Sequence, residues 1–138
     1  MINLHELRTG DIVLVEFEGQ RSEGEVIDLD REEKKANIQT NVQDFWYDAT
    51  DLYAIPLDEE QLIKFGFEKM QLPDGSVKYM RGPFRLLLSE KGNFSHFEMW
   101  YREDRRHMTH PLSIHQLQNQ FHEMTKVDLV RTPDVQAH

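Results

Sequence analysis

Four histidines, His107, His110, His115 and His122, fall within sixteen residues, and such density raises the question of a metal centre. A zinc-binding helix usually sets its two histidines four positions apart, on one face. His115 and His122 stand seven apart, which on a helix is roughly 10 Å along the axis. Two ligands each about 2 Å from one ion cannot span that distance. His107 and His110 could join His115 across a turn, yet no carboxylate stands beside them in a recognisable pattern. The spacing points to surface or capping imidazoles, so no metal and no cofactor is expected.

Nucleophile chemistry finds no support either. The chain has no GxSxG, no SxxK and no glycine-rich phosphate loop. His96, Phe97 and Glu98 reproduce the His-x-Glu of zinc deaminases, but those enzymes need cysteines and this chain has none. Paired carboxylates such as Glu59 and Glu60 sit at a helix start, where they complement the helix dipole. No catalytic residue is assigned, and a metal-dependent enzyme is the remotest of the readings.

Binding chemistry is better represented. "DFWYD" places Phe45, Trp46 and Tyr47 together between Asp44 and Asp48. Adjacent aromatics on a strand cannot all point inward, so at least one is expected at the surface. Small barrels use aromatic clusters ringed by acid to hold cationic or proline-rich peptides. The competing structural reading has these rings plug the open end of a barrel. A second candidate is the polar side of the last helix, where His115, Gln118, Asn119 and His122 form an uncharged hydrogen-bonding strip. Such a strip serves a partner, or is buried against another polar element.

These candidates need elements to hold them. Residues 12–17 form a continuous apolar run that reads as a strand, Gly19 and Gln20 break it, and 24–29 and 36–40 follow as further strands. Gly24 inside a strand pattern implies a bulge or a sharp bend. Downstream, "PLDEEQL" at 56–62 and "PLSIHQL" at 111–117 share four of seven residues. In each, a capping residue (Asp58, Ser113) is followed three positions later by glutamine (Gln61, Gln116). Leucines stand just before the cap and at the fourth helical position. This is a capping box with a hydrophobic staple, so the repeat is a helix start used twice.

Gly66 is placed to end the first helix with Phe67 packing back on Leu62. A hairpin turn is expected at Asp74-Gly75, with strands at 84–88, 94–101 and a short one at 106–110. Ile114, Leu117, Phe121 and Met124 make one apolar stripe on a helix running to about residue 125. The expected fold class is α+β: a small SH3-like β-barrel over residues 1–54, then a helix, an antiparallel β-meander and a helix over 55–130 packed on it. Residues 131–138 read as a loose tail.

Charge narrows the partners. The net charge is −9, and residues 1–52 hold 13 acidic against 5 basic side chains. Phosphate backbones are repelled by that part of the chain, so nucleic acid is not expected there. Arg81, Arg85, Arg102, Arg105 and Arg106 concentrate in the meander, where they supply one basic face or simply neutralise the acid. No run of apolar residues is long enough for a membrane helix. The first residues show no cationic start before an apolar stretch, so no secretory signal is expected. The absence of cysteine agrees with a cytoplasmic setting.

Gly10, Asp11, the apolar positions after them and the "GEV" of residues 24–26 resemble KOW and SH3-like small barrels. KOW modules commonly touch RNA or ribosomal and transcription proteins through basic surfaces. The corresponding loops here carry acids such as Glu18, Glu23 and Glu25 instead. A wider resemblance rests on "LYAIPLDEEQLIKFGFEK" at 52–69 and "IHQLQNQFHEMTKVDL" at 114–129. These segments resemble a group of small bacterial proteins, some prophage-encoded, with "IPLTEEWLLKFGF" and "HQLQNLYFALTG" segments. Gln61 stands where that group often has Trp, and Lys126 where it often has Gly. The group carries no activity to transfer, so the resemblance bears on architecture. The reading is a non-enzymatic protein–protein interaction module that binds a protein partner or itself. The alternative is a KOW-like protein associated with RNA, ribosome or transcription; no small-molecule substrate is identifiable.

Overall fold

The computed structural model describes residues 2–131, so the expected tail lies, beyond Arg131, outside the described residues. The chain forms two compact units, residues 2–56 with 113–119 and residues 57–112 with 120–131. The expected boundary after residue 54 falls two positions later. The last helix, expected whole in the second unit, is shared between the two.

In the first unit, β1 (Ile12–Phe17), β2 (Gln20–Asp30), β3 (Lys35–Gln39), β4 (Asp44–Asp48) and β5 (Leu52–Tyr53) build an antiparallel sheet in the order β4-β3-β2-β1-β5. The expected break at Gly19 and Gln20 is a two-residue turn at Glu18 and Gly19, with φ of 52° and 79°. Left-handed angles at both positions match the twist of the strands, and Gln20 already pairs with Phe17. Leu7, Val13, Val15, Val26, Ile38 and Leu52 are buried in the core beneath the sheet. Gly24 is buried where a Cβ would run into the Ile38 side chain and lie 3.0 Å from the Gln39 carbonyl oxygen. The bulge itself comes just after, between Val26 and Asp28. Hydrogen bonding leaves the sheet open: β4 and β5 are its two edges and do not pair with each other.

In the second unit, α1 (Glu59–Lys64) precedes β6 (Glu68–Gln71), β7 (Val77–Arg81), β8 (Phe84–Leu88), β9 (Phe97–Tyr101) and β10 (Asp104–Met108). These five strands form a simple antiparallel meander, β10-β9-β8-β7-β6. Alternation sets Val77, Tyr79, Phe84, Leu86, Leu88, Phe97 and Met99 on one buried face. β10 begins two residues earlier than expected, because Arg102 takes a φ of 55° and the turn closes in two residues. The helix α2 (Ile114–Thr125) is the last regular element among the described residues. With two antiparallel sheets and two α-helices among the described residues, the class is α+β.

Each helix start realises a different half of the capping box. At α1 the Asp58 carboxylate accepts the Gln61 N–H at 2.9 Å, while the Gln61 side-chain carbonyl accepts instead from Arg131, also at 2.9 Å. At α2 the Gln116 side chain accepts the Ser113 N–H at 2.9 Å, and the Ser113 hydroxyl lies 3.0 Å from His115 Nδ1. Leu57, Leu62, Leu112 and Leu117 are all buried, as staples require. The end of α1 is a Schellman motif: the Phe67 N–H donates to Leu62 O and the Gly66 N–H to Ile63 O, with Gly66 at a φ of 86°.

Candidate functional site

β4 splits the three adjacent aromatics by strand alternation. Tyr47 opposes Ala36, Phe45 opposes Ile38, and Trp46 opposes Asn37 from the other side of the sheet. Tyr47 is therefore core, 6% exposed, whereas Phe45 is 49% and Trp46 41% exposed. Phe45 sits at the rim of the core, its ring centroid 5.5 Å from Tyr47 and 6.4 Å from Phe17. Phe17 is itself half exposed, and sequence reasoning passed over it because it lies 28 positions from Phe45 and meets it only through the β1-β2-β3-β4 register. Alternation puts Asp44 and Asp48 on the Trp46 side. The expected acid-ringed aromatic cage is thus two features on opposite faces of one edge strand: an aromatic ledge of Phe17 and Phe45, and a lone tryptophan between aspartates.

The polar strip of α2 turns inward. His115 and Gln118 are buried. The Gln118 side chain accepts the Ile12 N–H at 2.8 Å and donates to Gly10 O at 2.9 Å. Asn119 Nδ2 donates to Glu6 O at 2.6 Å and lies 3.3 Å from an Asp11 carboxylate oxygen. The His115 ring meets Ser113 on one side and Glu6 Oε2, at 3.3 Å, on the other. Burial pushes this imidazole below its usual range, opposed in part by the Glu6 carboxylate. These three side chains satisfy backbone and side-chain groups of the segment leading into β1, so the expected partner-facing strip is internal structure. His122, in the second unit, lies 3.7 Å from Asp128.

No group of three or more metal-ligating side chains forms among the described residues. His107 is exposed near Glu98, and His110 is exposed. No helix among the described residues is long and apolar enough to cross a membrane.

A shallow concavity of about 570 Å³ in the second unit is lined by Leu57, Glu59, Tyr79, Lys91, Phe94 and Pro111, among others. Glu59 accepts from Lys69 at 2.7 Å and from the Tyr79 hydroxyl at 2.8 Å. Those two hydrogen bonds hold its carboxyl below the usual range. Burial first, and then the bond to Glu59, push the Tyr79 phenol up. A stronger acid and a weaker one, each moved away from neutrality, are the opposite of a proton-transfer pair tuned to work near pH 7. The trio reads as a strut tying α1 to β6 and β7. It was not legible in sequence, since its members share no motif.

The meander arginines separate by face. Arg106 sits on the buried side, bonding to Gln120 at 2.6 Å, Glu123 at 3.0 Å and Asp104 at 3.3 Å. On the opposite side, Arg85 and Arg105 flank Trp100 across three strands. Their guanidinium carbons lie 5.8 and 4.3 Å from its ring centroid. Arg102 stands over Tyr101 at 5.1 Å. Comparison with family models, curated proteins and solved structures finds no match to this chain.

Proposed function

We propose that the protein is a non-enzymatic protein–protein interaction module that takes an extended segment of a partner along the free edge of β4. One observation carries this: an edge strand presents exposed large aromatics on both of its faces, Phe45 with Phe17 on one and Trp46 on the other. An unpaired edge is a template for strand addition, and proteins that do not use one blunt or cover it. Backbone hydrogen bonds would supply affinity, and the two aromatic faces would read alternate side chains of the guest. Asp44 and Asp48 favour a segment carrying Lys or Arg. An SH3-like barrel belongs to the same proposal. Its support is the strand order, in which a four-strand meander, a 3-10 turn at Ala49–Asp51 and a short β5 return the chain beside β1. A cytoplasmic setting belongs to it too, resting on the absence of cysteine.

The test is selection of random extended peptides on the wild-type protein, followed by affinity measurement with Trp46→Ala and Phe45→Ala. Micromolar binding that weakens at least about tenfold in both variants, with the melting temperature nearly unchanged in Trp46→Ala, supports the reading. Peptides that bind both variants as tightly as wild type, or no peptide selected at all, remove it.

The second reading, a KOW-like RNA-associated protein, has one observation in its favour, the Arg85–Trp100–Arg105 row. Its signature is an affinity for generic RNA that falls steeply with added salt.

A further inference from the structure

The chain has two tryptophans, and each stands on the side of its sheet away from that unit's core, among charges of opposite sign. Trp46 shares its side of β4 with Asp44 and Asp48; Glu25 extends the acid across the sheet through the Glu25–Gln39–Asp44 row, and Asp28 through the Asp28–Asn37–Trp46 row. Trp100 stands between Arg85 and Arg105, with Lys78 in the next row across from Leu87. Asp44, Asp48, Arg85 and Arg105 make no ion pair with a described residue. Lys35 stands across from Asp48 on the first face, and Glu68 and Glu98 share the second. Acid still outnumbers base on the one, and Lys78, Arg85 and Arg105 outnumber acid on the other.

We infer that the two faces are made for each other between copies: the acidic Trp46 face of one chain docks on the basic Trp100 face of a second copy. This goes beyond the proposed strand addition: it uses the outer face of β4 and not its edge, and names the occupant of that face.

The composition of the Trp100 face favours a protein over nucleic acid. Met80 opposes Arg85 in the same row, Leu87 and Glu98 lie in the adjacent one, and Met70 extends that row to the sheet edge, 44% exposed. Tryptophan, arginine and methionine are the residues enriched at protein–protein contacts. Glu98, and Glu68 across from Met80, oppose a phosphate backbone, which has no cation to offer them, whereas the Trp46 face of a second copy carries Lys35 among its acids. Two copies of net charge −9 repel at long range, so the attraction acts at the contact itself, where acid concentrated in residues 1–52 meets the arginines of the meander. Attraction between an acidic face and a basic one steers encounter and fixes which surfaces meet. The contact is heterologous, so it closes by two reciprocal dockings or by a ring, or it propagates.

Sedimentation velocity on the full chain, from low micromolar to several hundred micromolar and at low and high salt, tests this. The wild type is expected to gain mass with concentration and to lose it with salt. Arg85→Glu with Arg105→Glu gives two acidic faces, and Asp44→Lys with Asp48→Lys gives two basic ones. Each double variant alone is expected to stay monomeric, weakened at least about tenfold. An equimolar mixture of the two is expected to assemble again, because every acidic face then finds a basic one. Recovery on mixing also shows that both variants are folded.

A wild type that is monomeric throughout, or assembly that survives in both variants, overturns the inference. A monomeric wild type that binds selected peptides through Trp46 sinks self-docking while leaving the β4 reading intact. A monomeric wild type that binds single-stranded RNA, and loses it on Arg85→Glu with Arg105→Glu, overturns self-docking and assigns the Trp100 face to nucleic acid.

Discussion

Gln118 and Ile12, 106 positions apart in sequence, are joined by a 2.8 Å hydrogen bond from the Ile12 backbone N–H to the Gln118 side-chain carbonyl. The same amide turns its N–H group to Gly10 O at 2.9 Å. One side chain thus imitates a stretch of neighbouring strand, serving the backbone on both sides of Asp11 where β1 begins.

Replacing Gln118 with methionine keeps the volume and deletes both bonds. A buried N–H and a carbonyl left without partners cost about 1–3 kcal/mol each. Gln118→Met is therefore expected to lose about 2–4 kcal/mol in urea denaturation. A loss below about 0.5 kcal/mol would show that water serves these groups equally well.

His115 gives a pH dependence of definite sign. Burial lowers its folded pKa below the ordinary value of 6.5, with Glu6 opposing. The unfolded chain then binds the proton more readily, and stability rises with pH. The contribution is fully present above about pH 7 and is lost as pH falls through the histidine range, with a slope of at most about 1.4 kcal/mol per pH unit. The difference in unfolding free energy between wild type and His115→Asn should shrink on acidification from pH 7 to pH 5. A difference that stays flat, or grows, contradicts the assignment.

Trp46 and Tyr47 are adjacent and should respond oppositely to truncation. Tyr47 is core, so Tyr47→Ala opens a cavity and costs about 3–5 kcal/mol. Trp46→Ala removes a side chain 41% exposed and should cost under about 1 kcal/mol. Comparable losses from the two would mean that alternation does not separate these rings in solution.

Gly24 is held by the close approach of β3. Gly24→Ala puts a methyl group against the Ile38 side chain and 3.0 Å from Gln39 O, an overpacking that should cost about 1–3 kcal/mol. Ile38→Ala removes the γ-methyl that the new Cβ would meet, so a Gly24→Ala cost that largely vanishes in the Ile38→Ala background would identify the contact responsible. Additive losses would place the strain elsewhere.

The features legible in the sequence are those whose causes lie within a few consecutive residues. Asp58, Gly66 and the stripe from Ile114 to Met124 declare helix starts, stops and faces by local geometry, and the structure has α1, its Schellman end and α2 where they point. The turn at Asp74-Gly75 is legible for the same reason: Gly75 takes a φ of 92°, and Ser76 bonds back to the Asp74 carboxylate. The destination of a polar side chain is another matter. His115, Gln118 and Asn119 carry the same sequence signal whether they face solvent, a partner or the first residues of the chain, and only folding brings Glu6, Gly10 and Ile12 within reach. Phe17 joins Phe45, and Arg85 and Arg105 meet at Trp100, through strand register. Register is set by the pairing of whole strands, so tertiary structure alone decided which charges and rings share a face.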